Sequence, residues 1–180
     1  MGTVEYEGIV LAIPSQVYEP REDSFLLAKN LEVRDGEEVL ELGTGSGLLA
    51  ILAAKKGGKV TAVDLNPKAV EAARENAGKN DVEIDFKQGD LFEQVFGRQF
   101  DLIIFNPPYL PPEEEPEELI DLSYHSSEVI KRFLEEYGIY LKKDGRALIV
   151  NSSLSGVEVG GKVLDRKKIF FEELQVLELR

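Results

Sequence analysis

Apolar positions along the chain fall into two alternating rhythms. Glu38–Leu42, Val60–Leu65, Phe100–Phe105 and Arg146–Asn151 are short, nearly continuous apolar runs. That pattern is expected of strands covered on both faces. Between them apolar residues recur at helical spacing. Leu48–Lys56 predicts a nearly all-apolar helix packed on a sheet and stopped by Gly57-Gly58. Asn66 is placed to cap the next helix, with Pro67 at its first position, a run to about Ala77 and an end at Gly78. Val82–Lys87 alternates, with Val82, Ile84 and Phe86 on one face, and reads as a strand. From about Glu128 a further helix carries Val129, Ile130, Phe133, Leu134, Tyr137 and Leu141, followed by a turn at Asp144-Gly145. At the N-terminus residues 4–18 alternate loosely and predict one or two short strands or an extended arm, punctuated by Pro14 and Pro20. A helix with Phe25, Leu26, Ala28 and Leu31 follows, with acidic residues in its first turn. The tail from Val157 predicts two more strands, the second marked by Leu174, Val176 and Leu179. Strands alternating with helices at this pace imply a doubly wound α/β sheet. No repeat, linker or boundary interrupts it, so residues 1–180 read as a single domain.

Composition narrows the class. At 180 residues the chain can bury a proper core. No apolar run reaches membrane-spanning length, and the N-terminus lacks the order of a signal peptide, so the expectation is a cytoplasmic protein with no membrane role. With no Cys and one His, disulfides and thiolate metal sites are excluded and a His-built metal site is disfavoured. A net charge of -13 weighs against tight nucleic-acid binding, which needs phosphate neutralisation, and suits solubility. The lone His125 reads as a surface residue.

Two stretches carry chemistry. Glu41-Leu42-Gly43-Thr44-Gly45-Ser46-Gly47 fills the turn between a strand and its helix. Glycine there lets backbone approach a ligand and take positive φ. Asp64 ends the next strand, where a carboxylate can accept both hydroxyls of a ribose, and Asp90 follows the third, within reach of an adenine amino group. A dinucleotide fingerprint would place its third glycine at Leu48 instead. A merely tight turn would account for the glycines, but not for the three acidic residues at strand ends. The second stretch is Asn106-Pro107-Pro108-Tyr109, at the mouth of the Phe100–Phe105 strand. The Asn106 oxygen and the Pro107 carbonyl can accept the two N–H groups of a planar nitrogen while Tyr109 packs on its face. A plain strand-ending turn is the competing reading of this tetrapeptide. The loop from Leu110 to His125 contains the run Glu113–Glu118, read as a solvated lid; a sharper reading has it attract a basic protein surface.

Glu41-x-Gly43-x-Gly45-x-Gly47 with Asn106-Pro107-Pro108-Tyr109 resembles the class I S-adenosylmethionine-dependent methyltransferases that act on planar nitrogen. The opening Val17-Tyr18-Glu19-Pro20-Arg21-Glu22-Asp23-Ser24-Phe25-Leu26-Leu27 resembles the archaeal and eukaryotic HemK-related branch, which methylates the glutamine of the Gly-Gly-Gln motif of class I peptide release factors. The resemblance covers Val17–Pro112, returns at Glu128–Leu134 and is fainter in the last strands. It implies a single Rossmann-like sheet, mostly parallel with an antiparallel C-terminal strand, and S-adenosyl-L-methionine as cofactor. It further implies that Glu41 and Gly43, with Gly45, hold the methionine end, Asp64 the ribose, and Asp90 with Leu91 the adenine. Ser24 would close over the cofactor within an N-terminal arm and helix spanning residues 1–31. Asn106 would touch cofactor and substrate, with Pro107, Pro108 and Tyr109 completing the substrate site. Related enzymes pair an edge strand, here Val82–Lys87, with a small zinc-binding activator. Two departures stand out: Asp121–Ser126 replaces a Gly-rich stretch, and Ser152–Gly156 is too short for the family's usual crossover helix.

Asn-Pro-Pro-Tyr is shared with adenine-N6 DNA methyltransferases, so adenine-N6 methylation of DNA or RNA is the first alternative, and this branch has also been linked to lysine methylation. A non-enzymatic cofactor-binding module is the remaining alternative, against which the intact tetrapeptide argues.

Overall fold

The computed structural model describes residues 2–108 and 127–180. An N-terminal hairpin, β1 (Gly2–Tyr6) and β2 (Ile9–Ile13), turns on Glu7 and Gly8, both at positive φ as a two-residue hairpin turn requires. Helix α1 (Glu22–Lys29) follows. Then come β3 (Glu38–Leu42), α2 (Leu48–Lys55), β4 (Lys59–Asp64), α3 (Pro67–Lys79), β5 (Asp85–Gln88) and β6 (Phe100–Phe105). After α4 (residues 127–136) come β7 (Leu141–Ser152), β8 (Lys162–Ile169) and β9 (Glu172–Leu179).

β3 to β9 form one seven-stranded sheet in the order β5-β4-β3-β6-β7-β9-β8. The pairs β5-β4, β4-β3, β3-β6 and β6-β7 are parallel, and β9 runs antiparallel to both neighbours. Strand order reverses beside β3, so the carboxyl ends of β3, β4 and β6 open a crevice there. Successive strand residues feed opposite cores. Val39, Ala62, Leu102, Ile104 and Val150 pack with α1, α2 and α3 on one face. Leu40, Leu42, Ile103, Phe105 and Ile149 pack on the other with Ile130 and Phe133 of α4. The second core is aromatic: Phe133 lies 4.8 Å from Phe105, and Phe92 stacks on Tyr140 at 4.3 Å.

The hairpin is fastened to α3 by two asparagines one turn apart. Asn76 accepts from Ala12 N–H and donates to Ala12 O and Ser46 O. Asn80 does the same for Val10, accepting from its N–H and donating to its carbonyl. Buried amides thus stand in for a neighbouring strand along the free edge of β2, and Asn76 also reaches the glycine turn.

Several boundaries differ from the sequence expectation. α3 passes through Gly78 to Lys79, because its left-handed cap is Asp81 (φ 56). Val82 N–H bonds Ala77 O and Asp81 N–H bonds Gly78 O, the paired bonds of a Schellman end. Val82 and Ile84 are spent leaving that cap, so β5 starts at Asp85. α4 stops at 136; Tyr137 lies in a 3-10 turn (Tyr137–Tyr140) and Leu141 opens β7. Asp144-Gly145 bends inside β7 where its register with β6 shifts, Asp144 taking φ 65. Between β7 and β8 residues 153–161 form no helix, in line with the short spacing. The loop from Leu110 to His125, with Tyr109, lies outside the described residues. Among those described, no helix is long and apolar enough to cross a membrane.

Candidate active site

A cavity of about 610 Å³ opens at the carboxyl ends of β3, β4 and β6. Ser24, Glu41, Gly43, Gly45, Asp64, Asp90, Leu91, Asn106, Pro107 and Pro108 all line it. The chain thus gathers into one volume every site residue expected from sequence within the described range. Its size is that of an ordinary small-molecule pocket.

The glycine turn is held from below. Gly43, Gly45 and Gly47 have φ of 65, 54 and 88. A Cβ on Gly47 would come 3.1 Å from Ala73 Cβ and 3.2 Å from its Cα, so the third glycine serves the packing of α3. A Cβ on Gly45 would meet nothing, leaving its backbone open toward a ligand. Gly45 N–H donates to Asp64 Oδ2 and Asn66 N–H to Asp64 Oδ1, each at 2.8 Å. Those bonds aim the Asp64 carboxylate while leaving lone pairs for further donors. Glu41 is 1% exposed and accepts from Thr44 Oγ. Burial pushes its carboxyl up to about 8, against the opposing Thr44 bond and with added repulsion from Asp64. Asp64 is raised too, chiefly by burial. The buried Glu41 carboxyl beside the Asp64 carboxylate suits a ligand that brings positive charge and hydroxyl donors.

On the other wall Asp90 Oδ2 is bound at 2.8 Å by Arg132 of α4, which leaves Oδ1 for a ligand. Leu91 takes φ 44, a strained setting for a branched side chain, at the point where its backbone borders the cavity.

At the end of β6, Asn106 Nδ2 donates to Asp23 Oδ2 at 2.7 Å and to Ser24 Oγ at 3.1 Å. Its Oδ1 is buried and has no hydrogen-bond partner among the described residues. A native protein seldom leaves such an acceptor unpaired, because desolvation without a bond costs about 1–3 kcal/mol. Pro107 is buried and Pro108 exposed. Sequence reasoning missed Tyr18, Asp23, Thr44 and Arg132. Tyr18 and Asp23 sit inside the quoted opening stretch, so the signal was present but unassigned. Arg132 falls between the apolar positions of α4, which mark the buried face only.

Residues 21–173 match the methyltransferase small domain family. The chain belongs to that family. This methyltransferase is 44% identical, over 97% of its length and 96% of the relative's, to a Methanocaldococcus jannaschii protein provisionally named a protein N5-glutamine methyltransferase. It is 30% identical to the release factor glutamine methyltransferase of Streptococcus pneumoniae over 81% of this chain and 58% of that one. It is 36% identical to the ribosomal protein L11 methyltransferase of Thermosipho africanus, spanning 45% of that relative. Among solved structures, a Pyrococcus furiosus methyltransferase superposes with a TM-score of 0.70 at 22% identity, covering 96% of this chain and 89% of that one. The Thermus thermophilus 16S rRNA N2 G1207 methyltransferase, solved with AdoMet and guanosine, superposes at 0.69 with 20% identity, covering 99% of this chain and 50% of that one. The shared architecture is the methyltransferase sheet with its antiparallel C-terminal strand.

Proposed function

We propose that the methyltransferase uses S-adenosyl-L-methionine to methylate the side-chain amide of the glutamine in the Gly-Gly-Gln motif of a class I translation release factor. The observation that carries this reading is the Asn106 amide, with one fork bonded and the acceptor fork buried and without a partner among the described residues. The similarity across nearly the whole of the M. jannaschii relative supports glutamine as the target. The streptococcal and Thermosipho relatives are both named for protein substrates, which favours protein over nucleic acid, as does the net charge of -13.

Glu41, Gly43 and Gly45 would hold the methionine end of the cofactor, Asp64 the ribose hydroxyls, and Asp90 Oδ1 with Leu91 N–H the adenine edge. When bound, the cofactor supplies an electrophilic methyl group. An amide nitrogen is a poor nucleophile because its lone pair is delocalised, so the protein's task is alignment. Asn106 Oδ1 accepts one substrate N–H and the Pro107 carbonyl the other. Both bonds favour charge leaving the amide hydrogens as the nitrogen lone pair is drawn out. Tyr109, assigned from sequence alone, would pack on the amide plane. Positioning of this kind can supply roughly 7–11 kcal/mol of the barrier. No strong general base is needed, and the proton leaves to water after transfer.

Residues 1–180 would act as one catalytic domain, with 1–31 closing over the cofactor; Tyr18, Pro20 and Ser24 at the cavity wall support this. The outer edge of β5 would take a small zinc-binding activator by strand addition, since β5 ends the sheet. Phe86 is buried in the core, so the backbone edge and the exposed Asp85 and Gln88 are what β5 offers such a partner.

The test supplies methyl-labelled S-adenosylmethionine to an extract of cells lacking this protein. Label in a band of release-factor size, absent with Asn106→Ala, supports the reading. Label in DNA or RNA overturns it.

A further inference from the structure

We propose that Asp23, steadied by Tyr18, is a positioning residue that fixes which way round the Asn106 amide faces. The inference rests on the reading of Asn106 as acceptor for the substrate N–H. An asparagine amide is nearly symmetric in shape but opposite in chemistry at its two ends. Turned the wrong way, Asn106 would present an N–H pair where the substrate nitrogen needs an acceptor, and transfer would stall without any change in shape.

The two partners of Nδ2 differ in what they can enforce. The Ser24 hydroxyl can donate or accept, so it tolerates either orientation. A carboxylate only accepts. Asp23 Oδ2 sits 2.7 Å from Nδ2, and the flipped amide would set two oxygens against each other at that distance. Asp23 is therefore the sign-specific contact. It is 4% exposed and lies in the first turn of α1, where the helix dipole favours a negative side chain. Its other oxygen, Oδ1, accepts from Tyr18 Oη at 2.9 Å. Partial burial of its hydroxyl end and the Asp23 carboxylate it donates to both raise the Tyr18 hydroxyl, so Tyr18 stays a neutral donor although its ring is half exposed. Tyr18, Asp23 and Asn106 thus form a directed chain from the N-terminal arm to the end of β6, its Asp23–Asn106 bond joining residues 83 apart in sequence. A second effect follows from the same bond. An amide whose N–H donates to a carboxylate carries more electron density on its oxygen, which strengthens Oδ1 as an acceptor.

The test compares Asp23→Asn, Tyr18→Phe and the exchange variant Asp23→Asn with Asn106→Asp. Asp23→Asn keeps shape and size but no longer forbids the flip. We expect kcat on a purified Gly-Gly-Gln release factor to fall about 10- to 100-fold, the range for losing a charged hydrogen bond. KM for that protein and the cofactor Kd should change little. Tyr18→Phe should lower kcat by about 3- to 10-fold, less than Asp23→Asn because Tyr18 acts on Asn106 only through Asp23. The exchange variant restores an acceptor oxygen facing the substrate and should recover much of the loss. Independently of any substrate, side-chain amide NMR of the free protein should show Asn106 Nδ2 protons protected from exchange in the wild type and unprotected in Asp23→Asn. Wild-type kcat with unchanged amide protection in Asp23→Asn would overturn the inference. So would equal loss in the exchange variant with weakened cofactor binding, which would mark Asp23 as a support of the arm instead. If the wild type leaves the release factor unlabelled, the substrate reading fails, while amide exchange still decides whether Asp23 holds Asn106.

Discussion

At the β3 end of the cavity the polar groups already have partners, whereas at the β6 end one has none among the described residues. Glu41 is bonded to Thr44, and both oxygens of Asp64 take backbone N–H groups from the turn and the α3 cap. Asn106, in contrast, is bonded through Nδ2 and left open at a buried Oδ1. The first half is a preformed cradle whose shape survives without ligand. The second holds an unmet demand that a planar N–H donor would meet. A binding module would need only the cradle, and the open acceptor is the feature that asks for a second molecule.

The largest effect should come from removing that acceptor. Asn106→Ala is expected to lower transfer about 100- to 1,000-fold, the scale for losing one preorganised group at a reacting centre. Cofactor affinity should fall less than about tenfold, which calorimetry on the same protein would check. Asp64→Asn should reverse the split. Cofactor Kd should rise about 10- to 100-fold with a milder change in kcat, and stability should fall by about 1–3 kcal/mol as the turn loses a charged acceptor. The glycines sharpen the contrast within the cradle. Gly47→Ala meets Ala73 and a φ of 88, so denaturant melts should show about 2 kcal/mol lost, beyond the roughly 1 kcal/mol of left-handed strain expected for Gly45→Ala.

The cradle also carries a slope with pH. Burial raises Glu41 from an ordinary 4.5 to about 8, so the folded free protein holds a proton that the unfolded chain releases. Its contribution to stability is fully present below pH 4.5 and is lost as pH rises through about 8. Glu41→Gln should flatten that part of the profile. Binding of a cation in the cradle should expel the proton, visible as a calorimetric heat that depends on the buffer's ionisation enthalpy.

The same contrast decides what could be read in advance. The cradle is local: Glu41 to Gly47 is one stretch, and Asp64 and Asp90 follow from counting strands, so pattern and spacing reach them directly. The strands β3 and β6 were legible to the residue because both faces of each are buried and their apolar runs end where burial ends. The Asn106 end of the cavity depends on a contact between residues 23 and 106 that no spacing rule encodes. Ser24 was reached by resemblance, while Asp23 beside it was passed over as an acidic residue in a helix's first turn. Gly78 misled because it has the composition of a helix end, while the cap fell to Asp81, whose side chain tolerates the left-handed turn. Arg132 was invisible because helical periodicity locates cores and says little of polar residues at the margin of a pocket.

The most direct test of the account is peptide mapping of a purified class I release factor after incubation with S-adenosylmethionine and either the wild type or Asn106→Ala. The account predicts one added methyl group on the Gly-Gly-Gln glutamine with the wild type and none with the variant. Methylation elsewhere on the factor, or on that glutamine with both proteins alike, would contradict it.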